Sequence, residues 1–480
     1  MGKESSDGIM AIDVRNPRTG RSDYSFEPPS TDDLDELALR LRDGQAVWEA
    51  GGLDVRTAAL NGWRDAIGMA RGEITAALMA DTGRRVESEM EVDAALRMIE
   101  RWCSLAPDLL AGTERRPASI PGIDLEQGMR PYPVAGVISP WNFPLLLALI
   151  DAVPALVAGC AVVIKPSEIA PRFIEPLAAT VATVPAMENV VAIVAGDGST
   201  GEAIVDRSDV VCFTGSVATG TKIAARAAKR FIPAFLELGG KDPAIVLPSA
   251  DLDRASSAIL WGSTANAGQS CQSIERVYVH ESVFDDFVDR LVDKAKSVRL
   301  AVPEPDAGDI GPIIAAKQIE VIAAHLQDAL ARGATAHTGG EIEEHGGGSY
   351  LKPTVLTGVT HEMKVMTEET FGPVIPVMSF TDADEAVRLA NDTRYGLSGA
   401  VFGDADEALG VARRIDAGGI SINDAALTAL VYDGEKSSFN FSGMGGSRMG
   451  PAALRRFGRR QAFLISDAQR PDPWWYPHLR

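Results

Sequence analysis

From residue 32 to residue 110, Leu, Ala and Ile recur at three- and four-residue intervals among Arg and Glu, the period of an amphipathic helix. The polar run Gly112-Thr113-Glu114-Arg115-Arg116-Pro117 breaks that pattern, and the stretch to about Tyr132 reads as an extended arm or hairpin. A regular alternation follows. An apolar run at 134–139 leads to a helix over 144–158 and a strand over 161–165. Helices over 171–183, 201–205 and 218–230 then alternate with strands over 190–195, 209–214 and 234–238. Strand, helix, strand repeated this often predicts a parallel sheet with helices on both faces, binding its ligand at the carboxyl ends of the strands.

A second alternation starts near residue 241. It predicts helices over 251–265, 282–298, 315–332, 383–391 and 405–415, with strands over 276–280, near 355, and over 374–379, 399–402 and 419–423. The tail differs: it is Gly-rich at 441–450, basic in Arg455-Arg456-Phe457-Gly458-Arg459-Arg460, and then Pro- and aromatic-rich. No internal repeat or low-complexity tract is visible.

Composition refines this α/β picture. A chain of 480 residues has room for two or three domains, each with its own core. A net charge of −20 opposes a nucleic-acid surface, which needs basic patches. The apolar stretch 144–164 contains Asp151, Pro154 and Gly159, and so reads as a buried helix, a turn and a strand instead of a membrane span. Met1 to Asp7 has no apolar core of a secretory signal, and a cytoplasmic setting is expected. The histidines (280, 325, 337, 345, 361 and 478) show no metal-ligand spacing, so no metal site is expected.

Four scattered cysteines make no disulfide framework. Cys160 and Cys212 lie in apolar runs that suit inert, buried thiols, and Cys103 falls on a helix beside Trp102. Cys271 is different: Asn266-Ala267-Gly268-Gln269-Ser270-Cys271 gives it small polar neighbours and glycine to admit a ligand. Glu237 lies at a strand end with apolar flanks, and Asn142 stands in Ser139-Pro140-Trp141-Asn142-Phe143-Pro144. A thiolate nucleophile, a carboxylate able to activate water and an amide able to hold an oxyanion are the parts that acyl chemistry through a thioester requires. Each alone has a plainer reading, Asn142 as a helix cap and Glu237 as a solvated carboxylate.

Six motifs in order decide between these readings: Ser139 to Pro144, Lys165-Pro166-Ser167-Glu168, Phe213-Thr214-Gly215-Ser216, Glu237-Leu238-Gly239-Gly240-Lys241, Gly268-Gln269-Ser270-Cys271 and Glu368-Glu369-Thr370-Phe371-Gly372-Pro373. From about Asn16 to Gly450 the chain resembles the NAD(P)-dependent aldehyde dehydrogenase superfamily. The resemblance implies a Rossmann-like dinucleotide-binding domain (1–112 and 132–238), a second α/β catalytic domain with the nucleophilic cysteine (239–440), and an oligomerisation arm with a C-terminal segment (113–131 and 441–480). It implies Cys271 as nucleophile, the Asn142 amide in the oxyanion hole and Glu237 as base. For the cofactor it implies Trp141, Lys165, Ser167, Glu168, Gly215, Ser216, Gly220, Leu238, Glu369 and Phe371. Gly215 to Gly220 follows a strand and opens a helix, where backbone N–H groups can meet a pyrophosphate. Glu168 favours a free ribose 2′-hydroxyl over a 2′-phosphate, so NAD is expected over NADP.

The sequence departs from the family in one place. Ser442 to Gly450 lacks the acidic residue that many members carry in this Gly-rich segment, and Phe439-Asn440-Phe441-Ser442-Gly443 replaces the usual Pro-Phe-Gly-Gly approach. Expected partners are a small aldehyde, leaning towards a hydrophobic or aromatic one, and further copies of the chain in a homodimer or homotetramer. The aromatic tail Asp472 to Arg480 offers packing across a subunit boundary. The rivals are a CoA-acylating aldehyde dehydrogenase, which commonly lacks the carboxylate found at Glu237, a nicotinamide-independent cysteine hydrolase, and a non-catalytic binding protein on the same fold.

Overall fold

The structure, a computed structural model, describes residues 10–466 and 474–479. The chain opens with an antiparallel hairpin, β1 (Ile12–Arg15) and β2 (Ser22–Phe26), whose short, half-exposed strands carry no clear alternation. The long helical pattern resolves into four helices, α1 (Thr31–Ala50), α2 (Gly52–Met69), α3 (Arg71–Thr82) and α4 (Val86–Leu110). α1 starts where it does because Ser30 Oγ accepts the Asp33 N–H while the Asp33 carboxylate accepts the Ser30 N–H. Gly83, at φ 72°, stops α3. The arm follows as β3 (Thr113–Pro117) and β4 (Ile123–Pro131).

The first alternation is β5 (Val134–Ile138), α5 (Pro144–Ala158), β6 (Ala161–Lys165), α6 (Ile174–Ala182), β7 (Val191–Ile193), α7 (Gly198–Arg207), β8 (Val210–Thr214), α8 (Val217–Arg230) and β9 (Ala234–Glu237). Every residue of β5, β6 and β8 is buried, which is why they read as unbroken apolar runs. α7 is longer than its sequence pattern because Asp197 caps it early, accepting from the N–H groups of Ser199 and Thr200. α5 is buried nearly all round, in a core shared with α2, α4 and this sheet. Among the described residues no helix is long and apolar enough to cross a membrane.

The second alternation begins with β10 (Asp242–Val246), α9 (Leu252–Thr264), β11 (Ile274–His280), α10 (Phe284–Ser297) and α11 (Ala316–Ala331). The short β12 (Thr335–Ala336), β13 (Ile342–His345) and β14 (Gly348–Leu351) come next, followed by β15 (Thr354–Thr357), α12 (Lys364–Thr367) and β16 (Val374–Phe380). α13 (Ala383–Asn391), β17 (Ser398–Phe402), α14 (Ala405–Ala412) and β18 (Gly419–Ile422) complete it. The resulting sheet has the order β12-β15-β16-β11-β10-β17-β18 and is parallel except for β12.

The C-terminal part is more structured than its composition suggests. After α15 (Leu427–Leu430), β19 (Gly443–Met444) joins the first sheet antiparallel to β9, giving the order β19-β9-β8-β5-β6-β7. α16 (Ala452–Arg455) packs on α5, and β20 (Gly458–Ser466) pairs with β4 from Gly458↔Pro131 to Ser466↔Ile123. The basic run at 455–460 therefore starts a strand of the three-stranded arm. In the tail, Asp472, Pro473 and Arg480 lie outside the described residues, whereas Trp474, Trp475 and Tyr476 are exposed.

In the first sheet the chain steps from β5 out to β6 and β7 on one side, then from β8 to β9 on the other. The crevice at the carboxyl ends of β5 and β8 is thus a topological switch point, the place where open α/β sheets bind ligands.

Candidate active site

Three chain segments converge at this crevice. The loop after β5 carries Trp141 and Asn142, β9 ends in Glu237, and the segment after α9 carries Cys271. Asn266 and Ala267 (both φ 54°) and Gly268 (φ 70°) are consecutive left-handed residues that turn the chain sharply after α9. A Cβ on Gly268 would lie 2.3 Å from the carbonyl carbon of Gly372, so this position requires glycine. The wholly buried Gln269 locks the turn: its Nε2 donates to the Asn266 (3.0 Å) and Pro312 (3.2 Å) carbonyls, and its Oε1 accepts the Ile314 N–H (2.8 Å).

Asn142 is held by the same turn. Its Nδ2 donates to the Gln269 carbonyl (3.0 Å), and its own carbonyl accepts from Asn266 Nδ2 (2.9 Å). The amide therefore sits beside the thiol loop with one of its two hydrogens committed. Helix α4 braces the arrangement, with Glu87 accepting the Asn266 N–H and Glu91 accepting the N–H groups of Leu145 and Leu146. Cys271 is half-buried, and the backbone packs so closely behind it that a Cβ on Gly240 would lie 2.6 Å from its carbonyl oxygen. Burial pushes the thiol up to about 12; Arg448 opposes the shift, and the carboxylates of Glu369, Asp242 and Glu237 add to it.

Glu237 accepts a hydrogen bond from Ser438 Oγ (2.7 Å), and the next residue, Leu238, donates its N–H to the Ser442 carbonyl (2.8 Å). Lys436 Nζ donates to Gln272 Oε1 (3.0 Å) and to the Thr428 carbonyl (2.9 Å), and Thr428 Oγ1 donates to the same Gln272 oxygen (2.9 Å). The segment 427–444 thus ties the neighbour of Cys271 to Glu237. Sequence reasoning missed Gln272, Thr428, Lys436 and Ser438, whose only signal was the unusual wording around residues 439–443.

The residues expected at the cofactor fall into two groups. Glu369, Phe371, Trp141 and Leu238 form the group nearer the thiol segment: a Cβ on Gly239 would lie 2.3 Å from the Glu369 carboxylate, and Trp141 and Leu238 are the chain neighbours of Asn142 and Glu237. Glu369 Oε1 accepts the Gly240 N–H (3.1 Å), and burial, chiefly, with the nearby Glu275 raises Glu369 to about 8. Phe371, at φ 52°, meets the Trp141 ring edge-on at 5.5 Å. Glu275 accepts the N–H groups of Thr370 and Phe371 (both 2.7 Å) and pairs with the buried Lys241 (2.6 Å), which fixes this loop.

The second group lies across the switch point. Lys165, buried at the end of β6, pairs with Glu168 (3.2 Å), and Ser167 Oγ accepts the Ile169 N–H (3.3 Å). Gly215 donates its N–H to the Glu237 carbonyl (3.1 Å), and Ser216 caps α8 through the Thr219 N–H. A Cβ on Gly220 would lie 2.5 Å from Leu238 Cδ2, so glycine there lets α8 press against the strand end. No hydrogen bond or ion pair among the described residues joins Lys165 to Glu168 with the thiol group. The cradle suits a dinucleotide: a capped helix N-terminus for phosphates, a buried Lys and a half-exposed Glu for a ribose, and the edge-on Trp141–Phe371 pair for an aromatic ring. Among the described residues no group of three His, Cys, Asp or Glu side chains is placed to hold a metal ion.

Residues 4–462 match the sequence profile of the aldehyde dehydrogenase family. The chain belongs to the aldehyde dehydrogenase family. A putative aldehyde dehydrogenase, PutA, from Anabaena variabilis has a solved structure that superposes with TM-score 0.96 at 56% identity, covering 97% of this chain and 100% of that one. The betaine aldehyde dehydrogenase (betB) of Staphylococcus aureus, solved in complex with NAD+, superposes with TM-score 0.91 at 29% identity, covering 99% of this chain and 95% of that one. Among curated relatives, a putative NADP(+) succinate-semialdehyde dehydrogenase 2 of Mycobacterium ulcerans (strain Agy99) is 34% identical, covering 97% of this chain and 92% of that protein. The 4,4'-diapolycopene aldehyde oxidase of a Methylomonas species is 38% identical, covering 81% of this chain and 73% of that protein. This aldehyde dehydrogenase is accordingly an NAD(P)-dependent oxidoreductase with a Rossmann-type fold and a second α/β layer.

Proposed function

We propose that the chain oxidises an apolar aldehyde to the carboxylic acid through a thioester on Cys271. The reading rests on one observation: the turn at 266–269 holds the Asn142 amide beside the Cys271 loop, while the segment 427–444 ties that loop to Glu237. The Cys271 thiol gives its proton to water, and the thiolate sulfur bonds to the aldehyde carbon to give a tetrahedral thiohemiacetal, whose oxyanion accepts hydrogen bonds from the free hydrogen of Asn142 Nδ2 and from the Cys271 N–H. A bound NAD would supply the two-electron hydride acceptor that takes this carbon to the thioester level. Glu237 then takes a proton from water, whose oxygen attacks the thioester; the C–S bond breaks and the acid departs. Trp141, Phe371, Glu369 and Leu238 would hold the nicotinamide half of such a cofactor, and Lys165, Ser167, Glu168, Gly215, Ser216 and Gly220 would hold its adenosine and phosphates. The Glu168 carboxylate supports NAD over NADP.

The apolar substrate is supported by the surface around Glu237. Leu427, Leu430, Val431, Phe439, Phe441 and Met444 are all exposed on the segment that holds Glu237 and Gln272. The name of the Methylomonas relative points the same way, whereas that of the mycobacterial relative points to a short semialdehyde. The exposed arm strand β20, with Phe463 and Leu464 outward, supports a homodimer or homotetramer, and free cysteines with an acidic surface support a cytoplasmic setting. The test is an aldehyde panel followed by NADH absorbance, with NAD or NADP and with or without CoA. Long-chain or aromatic aldehydes are expected to give the highest kcat/KM with NAD and no CoA requirement. Best turnover on succinate semialdehyde overturns the substrate class, and dependence on CoA overturns hydrolysis.

A further inference from the structure

Glu237 has one side-chain partner among the described residues. Ser438 Oγ donates to its Oε2 at 2.7 Å, and no other described group donates to the carboxylate. An ionised carboxylate only accepts, so the hydroxyl spends its single proton on this bond. Oε1 is left uncommitted. The two oxygens are therefore unequal, one held by the protein and the other available to water. Glu237 is half-buried, which gives a charge-assisted bond of this kind more weight than it has at a fully exposed site.

Backbone on both sides of Ser438 fixes where its hydroxyl lies. Before it, Lys436 donates its N–H to Ser447 Oγ (3.0 Å), and a Cβ on Gly418 would lie 1.8 Å from the Ser437 carbonyl oxygen. After it, the Phe439 N–H donates to the Gly396 carbonyl (2.9 Å). Ser442 then joins this segment to the strand end of Glu237: its carbonyl accepts the Leu238 N–H (2.8 Å), and its Oγ donates to the Gly239 carbonyl (2.7 Å). β19 continues the join in register, with Gly443 opposite Glu237. A Cβ on Gly443 would lie 2.8 Å from Ser438 Cβ and 2.2 Å from the Leu236 carbonyl oxygen, so glycine there lets the segment close on β9. Ser438 and Glu237 thus belong to one clamped unit, although 201 positions separate them.

We propose that Ser438 is a positioning residue for the hydrolytic half of the cycle, holding Oε2 of Glu237 so that Oε1 takes the proton from water. The proposal rests on the reading of Cys271 as nucleophile and Glu237 as base. In that step the water oxygen bonds to the thioester carbon while its proton moves to Oε1. The C–S bond then breaks, the sulfur leaves as thiolate, and the proton on Oε1 passes to solvent. Formation of the acyl-enzyme needs neither Oε1 nor the activated water. Ser438 therefore acts on deacylation and leaves acylation alone, a split that a role in packing does not produce.

The test separates the two steps with p-nitrophenyl acetate, an activated ester that acetylates a thiolate and releases p-nitrophenolate. Wild type, Ser438→Ala, Ser438→Thr and Glu237→Gln are mixed with the ester and quenched in acid at timed intervals. Peptide mass spectrometry gives the fraction of Cys271 acetylated, and absorbance gives the p-nitrophenolate released, so the two rates follow together. Each protein is also melted. Ser438→Ala is expected to acetylate within about twofold of wild type but to deacetylate about tenfold more slowly, the loss of one charge-assisted hydrogen bond that orients the base. Acetyl-Cys271 accumulates as a result. Ser438→Thr, which keeps a hydroxyl, is expected to recover most of the deacetylation rate. Equal slowing of both steps in Ser438→Ala, or deacetylation unchanged or faster, overturns the proposal. If Glu237→Gln accumulates acetyl-Cys271 while Ser438→Ala behaves as wild type, only the role of Ser438 falls. If neither wild type nor Glu237→Gln carries acetyl on Cys271, the underlying reading falls and this role with it.

Discussion

Replacing Asn142 by alanine separates the chemistry of the oxyanion from the stability of the loop that provides it. The Asn142 amide donates to the Gln269 carbonyl at 3.0 Å, but that carbonyl also accepts from Asn266 Nδ2 at 3.0 Å and is not orphaned by the substitution. The Asn266 Nδ2 bond to the Asn142 backbone carbonyl survives as well, because it does not involve the deleted side chain. The structural loss is one hydrogen bond and a small void, on the order of 1–2 kcal/mol. The catalytic loss is a preorganised donor aimed at developing negative charge in a half-buried site, typically about 3–4 kcal/mol, or about 10²–10³ in kcat. Asn142→Ala is therefore expected to melt only slightly below wild type, while steady-state NADH formation falls by about two to three orders of magnitude. NAD affinity by titration is expected to stay within about threefold, since the amide faces the thiol loop. A kcat within tenfold of wild type refutes the oxyanion assignment, and a collapsed melt with lost NAD binding refutes the local argument.

Glu237→Gln keeps the Ser438 contact and removes the base. It is expected to give one burst of NADH per site followed by turnover slowed about 10²–10⁴-fold, measured by rapid mixing, and no burst sinks the deacylation role. Gly268→Ala combines a positive φ of 70° with a backbone collision against Gly372, so it is expected to cost about 1–3 kcal/mol of stability and most of the activity. An unchanged melt contradicts that reading. Glu369, raised in the fold to about 8 from 4.5, binds a proton in the native state that the unfolded chain has lost between those values. Its stabilising share is therefore complete below about pH 4.5 and lost as pH rises through about 8. The melting advantage of Glu369→Gln over wild type is expected to grow from about pH 5 to about pH 8 and then level, and a flat difference contradicts the assignment.

Much of the fold was legible because its central strands are buried on both faces. β5, β6 and β8 read as continuous apolar runs, and α5 reads as apolar all round, so their alternation shows in the chain itself. The splitting of residues 31–110 into four helices was hidden, since Gly51–Gly52 and Ala70 interrupt the backbone without interrupting the amphipathic period. β20 was hidden for the opposite reason: it is exposed and basic, and only its partner β4 makes it a strand. The Cys271, Glu237 and Asn142 trio was visible as residue types within recognisable motifs. The groups that fix it were not, because Ser438 reaches Glu237 across 201 positions and Gln272 meets Lys436 across 164.

Asp151 marks the limit of such reading most clearly. A lone carboxylate inside an apolar helix says from sequence that a cation must be near, because an unpaired buried charge is too costly to keep. It does not say which cation, and 46 Lys and Arg residues compete for the place. The choice is made by β19, which turns the Gly-rich segment back along β9 and delivers Arg448 and then Arg456 to the same carboxylate, 297 and 305 residues away. The pairing belongs to the return path of the chain, so a change that detaches β19 from β9 releases Arg448 from Asp151 and frees the Glu237 end of the strand together.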